Sequence, residues 1–418
     1  MTAKNTKQTK QAANTAFNTI GTVFYFACQY LLTILVVRIG GFEDAGIFAM
    51  VLSITNIFSC VALFGLRNFQ VSDVRDEYTD LNYLHARIVT ITLSLLLFAI
   101  VVPFLHLNAY TLWCTVIYLL YKYGETISDL CFSYYQKKNT YRSILVSLIL
   151  KGILVLISFV VVLMLTHSLF MTLVANTVVY YALIAVYDLP ILRRLISFKG
   201  NARESWKKSL QILKQCWPLM IYACLVPYLN FVTRYSIEGS YGEDILGGYS
   251  SITIVFSVLN TLMNSVFVTI VPEISKLYLE GKKRSIFKKV MAMTLALFVM
   301  TLLGIGAAKL LGTPVFVLLY GKGIKEYIYL LIPTVIASCV LTFNTFYSTV
   351  LISFRRIPIV LVSCLAACIA TTVILPVFVK QFQLLGPVYA LIAALVLSSC
   401  IGLAGIFATL GKRKAASC

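Results

Sequence analysis

Long apolar stretches separated by short polar connections set the pattern of this chain. Twelve stretches stand out, at about 13–38, 44–66, 84–106, 109–134, 143–165, 168–189, 213–235, 245–271, 288–311, 328–353, 357–379 and 384–409. A bilayer core about 30 Å thick is crossed by roughly 20 residues of helix, so each stretch is long enough to span it. The stretches are continuously apolar and do not alternate, which excludes the strands of a membrane barrel. The pattern predicts an all-α integral membrane protein with twelve transmembrane helices.

Composition agrees. The chain is 60% hydrophobic and 12% charged, against roughly 25% charged in soluble domains. Its net charge of +19 would suggest nucleic acid in a soluble chain, but here the basic residues sit between apolar spans. With the N-terminus in the cytoplasm, 27 of the 35 Lys and Arg fall on the inner side. Six fall on the outer side: Arg38, Arg234, Lys309, Lys322, Lys325 and Lys380. Lys122 and Lys151 lie within spans. This bias follows the positive-inside rule and predicts a multi-pass protein of the cytoplasmic membrane with both termini inside. It makes anionic membrane lipids secondary partners and leaves no reason to expect nucleic acid. The polar, basic start MTAKNTKQTKQAAN precedes an apolar span too long for a signal-peptide core, so it reads as an uncleaved first helix. Most of the eleven cysteines fall inside spans; they read as small buried hydrophobes, with no metal site expected.

The longest connection, LRRLISFKGNARESWKKSLQILK, is basic with scattered apolar residues, the pattern of a helix lying on the inner leaflet. It divides the chain into a lobe at 1–192, a linker at 193–212 and a lobe at 213–418. The second span begins EDAGIFAMVLSITNIFS and the eighth EDILGGYSSITIVFSVL, and aligning Gly46 with Gly247 gives an offset of 201 residues. Six spans per repeat imply parallel lobes related about an axis along the membrane normal, with a central cavity between them.

The charges inside spans are the candidate chemistry. In Tyr110–Gln136 they are Lys122, Glu125 and Asp129. Lys122 lies roughly 18 Å from Tyr110 along a helix, near mid-depth. A lysine there costs about 2.5–3.5 kcal/mol on insertion scales, so this helix is expected to face protein or water. Glu125 is one turn on, placed to neutralise Lys122. Asp129 is roughly 28 Å from Tyr110, close to the inner interface. Lys151 is about 12 Å into the fifth span, facing a cavity or snorkelling. Arg38 and Arg234 end the first and seventh spans on the outer side, against the charge trend; anchoring or pairing with Glu43, Asp44, Glu238, Glu243 or Asp244 is the alternative to a ligand role. Tyr118, Tyr121 and Tyr123 flank Lys122, and such a run serves packing as readily as stacking on a ring. Polar residues recur in other spans: Asn18, Gln29, Asn56, Asn230, Asn260, Asn264 and Asn344. Prolines concentrate in the second half, at 218, 227, 272, 333, 358 and 376, which predicts bent helices there. Metalloprotease, nucleophile-elbow and Walker motifs are missing, so an enzyme is not expected.

Three segments carry a family likeness. They are Arg38-Ile-Gly-Gly-Phe-Glu-Asp-Ala-Gly with Leu63-Phe-Gly-Leu; Tyr134-Tyr-Gln-Lys-Lys-Asn with Lys151 in the next helix; and Leu246-Gly-Gly-Tyr-Ser, Val271-Pro-Glu-Ile-Ser-Lys and Leu318-Leu-Tyr-Gly-Lys-Gly. In order and spacing the chain resembles the polysaccharide flippases of the multidrug/oligosaccharidyl-lipid/polysaccharide superfamily, the O-antigen and capsule repeat-unit translocases. It departs from them at Lys137, where glycine often follows the glutamine, and at Thr233, where an acidic residue commonly precedes the arginine.

The resemblance implies translocation of an undecaprenyl-diphosphate-linked oligosaccharide by alternating access. It implies diphosphate contacts from Lys122, Lys151, Arg38 and Arg234. Glu125 and Asp129 become candidates for carrying a coupling proton or ion. No cofactor is expected beyond a proton or sodium gradient. A polysaccharide polymerase and a chain-length regulator are the expected protein partners. The rival readings are a cation-coupled drug antiporter of the same superfamily and a membrane polymerase or ligase. The latter would be expected to carry a long outer loop with catalytic Arg or His.

Overall fold

The computed structural model describes residues 2–73, 77–196 and 202–411, and among them it contains no strand. Arg75, Lys199 and the 412–414 cluster, counted in the charge pattern, lie outside the described residues, as do the side chains of Lys4, Lys7, Lys10, Arg203, Asn264 and Pro272. The helices are α1 (Thr2–Leu63), α2 (Leu66–Ser72), α3 (Asp80–Val101), α4 (Ala109–Lys137), α5 (Tyr141–Thr166), α6 (Leu169–Leu183), α7 (Leu189–Leu195), α8 (Ala202–Tyr241), α9 (Glu243–Leu279), α10 (Lys283–Tyr320), α11 (Leu331–Ser353), α12 (Ile357–Phe382) and α13 (Gly386–Gly411).

Each of the twelve apolar stretches falls on helix. Eight continuous helical stretches among the described residues are long and apolar enough to cross a membrane, and two of them, Ala16–Val71 and Ile357–Gly411, each contain two of the expected spans. Stretches α4 and α9 are not among the eight; α4 is the one carrying Lys122, Glu125 and Asp129.

The join inside α1 is Gly41, at φ 86° and ψ −174°. Gly242, between α8 and α9, adopts φ 85° and ψ 177°. This left-handed extended conformation is open to glycine and nearly closed to other residues. The two positions are 201 apart, the same offset that aligns Gly46 with Gly247. The repeat is therefore visible in backbone geometry as well as in sequence.

Internal packing defines two compact units, Met1–Pro227 and Tyr228–Cys418. In the first, α1 packs on α5, α4 and α3, and α4 on α6. The approach of α4 to α6 depends on Gly124, where an added Cβ would lie 3.0 Å from the Tyr180 ring. The start of α8 belongs to this unit. Asn82 Nδ2 donates to Ser205 Oγ at 2.9 Å, Ser209 Oγ donates to Asn82 O at 2.7 Å, and the His85 and Trp206 rings stack at 4.4 Å. In the second unit α11 packs on α9 and α13, and α12 on α13. Pro314 and Pro376 lie inside α10 and α12, and each lacks the N–H for one main-chain hydrogen bond of its helix.

The outer surface is apolar. Leu96, Leu165 and Val178 are 56%, 78% and 63% exposed, while charged side chains are buried behind them. This inversion of the soluble pattern is what a hydrocarbon solvent requires.

Candidate functional site

Helix α4 runs through the polar interior of the first unit, and three clusters are arranged along it. The first is centred on Glu125. Lys122 Nζ lies 2.8 Å from Glu125 Oε2. The Tyr25 hydroxyl, on α1, donates to Glu125 Oε1 at 2.5 Å and lies 3.1 Å from Tyr121 OH. Gln29 Nε2 donates to Tyr121 OH at 2.9 Å. The Lys122 ammonium also sits 5.5 Å from the Tyr118 ring centroid. Tyr118 stacks on Tyr121 at 5.2 Å, and Tyr121 meets Tyr180 edge-on at 4.8 Å. The Tyr118 hydroxyl is buried with no partner among the described residues. The cluster is not sealed: the side chains of Lys122 and Glu125 are 13% and 21% exposed. It joins a cation, a carboxylate and aromatic faces at a partly open edge, a set suited to an anionic, sugar-bearing ligand.

The second cluster is sealed. Lys151 on α5 pairs with Asp188, and their side chains are 1% and 0% exposed. Its ammonium donates to Ser128 Oγ at 2.6 Å, and Ser147 Oγ donates to Asp188 Oδ1 at 2.9 Å. The Tyr180 ring lies 4.8 Å and the Phe132 ring 5.2 Å from the ammonium. Asp188 ends a wide helical turn, Ile184–Asp188, in which the Leu189 N–H bonds to the Ile184 carbonyl. Pro190 follows in the first turn of α7. Proline lacks an N–H and crowds the carbonyl four residues back, and a turn with i→i+5 bonding accommodates it. In this conformation Lys151 offers its charge to Asp188 and to no outside ligand.

The third cluster lies at the turn that closes α1. Phe64 and Gly65 both have positive φ, 52° and 69°, and reverse the chain into α2. The buried Arg87 of α3 donates to the Ala62 and Leu63 carbonyls at 2.9 and 3.0 Å and to Asp129 at 2.8 Å. It thus caps the negative end of α1 with a guanidinium. Arg67 of α2 also reaches Asp129, at 3.4 Å. The charge pattern counts Arg87 with the inner-side loops. The structure shows Arg87 2% exposed and engaged by protein rather than free in a loop.

The predicted site residues therefore separate. Lys122 and Glu125 come together at a partly open edge, Asp129 joins a different cluster one turn of α4 further on, and Lys151 is enclosed. Arg38 lies exposed on α1, near the Gly41 break. Arg234 lines a narrow cleft in the second unit with Asn230, Thr233, Tyr249, Thr253 and Thr334. Tyr249 and Thr334 are 3% and 1% exposed.

The profile of the family described as polysaccharide biosynthesis protein matches residues 12–278, more than half of the chain. The chain belongs to this family. It is 26% identical over 300 residues to the capsular polysaccharide biosynthesis protein CapF of Staphylococcus aureus, covering 72% of this chain and 74% of that one. Among solved structures it is similar to an inward-facing multidrug resistance MATE transporter, with a TM-score of 0.71 at 13% identity, covering 94% and 96% of the two chains. It is also similar to the lipid II flippase MurJ in an inward closed conformation, with a TM-score of 0.70 at 13% identity, covering 94% and 87%. At those identities the likeness establishes the fold alone: an all-α, multi-pass membrane fold.

Sequence reasoning missed Asp188, Arg87, Arg67 and Tyr25 as members of these clusters. Asp188 had a signal, since it is the acidic residue at the end of an apolar span, just before Pro190. Arg87 had one too, because it lies inside the third apolar stretch rather than beside it.

Proposed function

We propose that this protein moves undecaprenyl-diphosphate-linked oligosaccharide repeat units from the inner to the outer face of the bacterial cytoplasmic membrane by alternating access, for O-antigen or capsule assembly. The observation that carries this reading is the Lys122–Glu125 pair, partly exposed and ringed by Tyr25, Tyr118 and Tyr121, within a chain of the polysaccharide biosynthesis family. A diphosphate crossing hydrocarbon needs a cation already sheltered from lipid, and sugars need hydroxyls and ring faces. Lys122 supplies the charge by exchanging Glu125 for phosphate oxygens. Glu125, released, is the group best placed to take a proton or ion, which would couple transport to a gradient. Asp129 is the weaker coupling candidate, because it faces two arginines. Arg38 and Arg234 are the candidates for the outer end of the route, and Lys151 supports Ser128 and α4 rather than the headgroup. Both termini are cytoplasmic in this reading, and a polymerase and chain-length regulator act on the delivered unit. The protein transports its ligand and does not alter it.

The test is deletion and complementation, following lipid-linked repeat units on each membrane face. The wild-type chain restores outer-face units. Lys122→Gln, at normal protein level, leaves them on the inner face. Full complementation by Lys122→Gln overturns the role of Lys122. Export of a drug with no change in repeat units would favour the antiporter reading.

A further inference from the structure

The cluster at the α1–α2 turn is short of negative charge. Two guanidiniums, Arg67 and Arg87, share one carboxylate, Asp129. They do not share it equally. Arg87 takes Asp129 Oδ2 at 2.8 Å and is fixed by two main-chain carbonyls. Among the described residues Arg67 makes only long hydrogen bonds, to Asp129 at 3.4 Å, Gln136 at 3.3 Å and Asn18 at 3.4 Å, and its guanidinium lies 5.7 Å from the Phe132 ring centroid. Good bonds from a guanidinium to a carboxylate are about 2.7–2.9 Å, so each of these is near the limit of a hydrogen bond. The Arg87 Nε has no acceptor at all among the described residues, so the cluster has more donors than acceptors. The Arg67 side chain is 27% exposed against 2% for Arg87, so the loosely held arginine is the accessible one.

We propose that Arg67 is the arm of a second anion station, which takes the phosphate or diphosphate group of a lipid headgroup. When Arg67 turns to a phosphate, Asp129 stays neutralised by Arg87, so no carboxylate is left bare beside the arriving anion. The planar fork of arginine matches two phosphate oxygens, and Gln136 and Asn18 border the place where they would lie. Asp129 and Lys122 are seven residues apart on α4, about 10 Å along its axis. The station is therefore separate from the Lys122 cluster and close enough to pass a diphosphate on to it. The diphosphate identity rests on the proposed function; the anion chemistry does not.

The experiment titrates inorganic pyrophosphate and then farnesyl diphosphate into the purified full chain in detergent, by calorimetry, with Lys122→Gln as the background to isolate this station. Lys122→Gln is expected to keep pyrophosphate binding, and adding Arg67→Gln to weaken it about tenfold or more, the loss of one charge-assisted contact pair. Adding Arg67→Lys instead is expected to weaken it about threefold, since lysine keeps the charge but not the fork. If Arg67→Gln lowers the thermal unfolding midpoint by more than a few degrees, the Arg67→Lys ratio decides. Equal pyrophosphate affinity with and without Arg67, or no pyrophosphate binding by the wild-type chain, overturns the station. Equal Arg67-dependent binding of phosphatidylglycerol micelles would uphold the anion station and assign it to lipid phosphate in general. Wild-type transport of repeat units together with Arg67-independent pyrophosphate binding would remove the station and leave the flippase reading standing. Arg67-dependent binding in a chain that moves no repeat units would do the reverse.

Discussion

The two units solve the problem of a polar interior in different ways. In Met1–Pro227 the interior holds ions in pairs, Lys151 with Asp188, Arg87 with Asp129 and Lys122 with Glu125, set among hydroxyls such as Ser53, Thr55 and Thr115 that bond to their own helix. In Tyr228–Cys418 the ion pairs described, Lys282–Glu280 and Lys289–Glu273, are on exposed side chains. Apart from Arg234, the polar groups described in the second unit's interior are mostly uncharged, and many of its hydroxyls bond to their own helix. Along α11, Ser338, Thr342, Thr345 and Thr349 each donate to the carbonyl four residues back. A paired ion is fixed, because losing its partner strands a charge in low dielectric. A back-bonded hydroxyl is tolerant, because its bond is local and can be given up. The comparison separates a scaffold that holds charge in place from one whose helices bend at little cost.

Removing one member of a sealed pair is the strongest way to break this comparison. Asp188→Leu leaves Lys151 without its carboxylate, at an expected cost of about 3–5 kcal/mol. Thermal unfolding in detergent should show the largest drop of any single change described here, with much of it recovered in Asp188→Leu/Lys151→Met. A small drop with no rescue would mean the pair is not what holds α5 to the end of α6. Arg87→Met should follow at about 3 kcal/mol, softened because Arg67 can still reach Asp129; a loss larger than that of Asp188→Leu would reverse the order of the two clusters.

How much of this was readable in advance depended on distance along the chain. Lys122 and Glu125 share one helix, so their pairing follows from spacing alone. The repeat was readable in the segments that align Gly46 with Gly247, and the structure adds Gly41 and Gly242 at the same offset, in a backbone conformation that only glycine adopts freely. Lys151 and Asp188 are 37 residues apart and meet only because α5 and α6 pack together. Spacing gives no hint of that, and Lys151 read as open to a cavity when it is enclosed. Arg87 looked like a loop charge by its closeness to the end of an apolar stretch. Its partners, the Ala62 and Leu63 carbonyls, belong to the end of another helix.

The partly open Lys122–Glu125 cluster allows a smaller, sharper test. Tyr25→Phe deletes the phenol that donates to Glu125 at 2.5 Å and leaves the ring. A hydrogen bond to a charged group is worth about 1.5–3 kcal/mol, and the partial exposure of Glu125 places the expected stability loss at the lower end. If Glu125 is held by Tyr25 as firmly as by Lys122, then Tyr25→Phe should also change transport while Lys122 is intact. No change in either quantity would make Lys122 the sole anchor of Glu125.

The smallest effect belongs to the second unit, where the comparison predicts tolerance. Thr371 on α12 is fully buried, and its hydroxyl has no partner among the described residues. Thr371→Val removes that hydroxyl while keeping the branched shape. Since an unsatisfied buried hydroxyl carries a desolvation cost that valine does not, the change should be neutral or stabilising, within about 0.5 kcal/mol. The same substitution at Thr334, which is also unpartnered but lines the Arg234 cleft, should be as mild for stability. Transport is what tells the two apart. If the cleft takes a ligand, Thr334→Val lowers transport and Thr371→Val does not. If both variants transport like the wild type, the cleft around Arg234 is packing space, and the charged ligand is handled by the first unit alone.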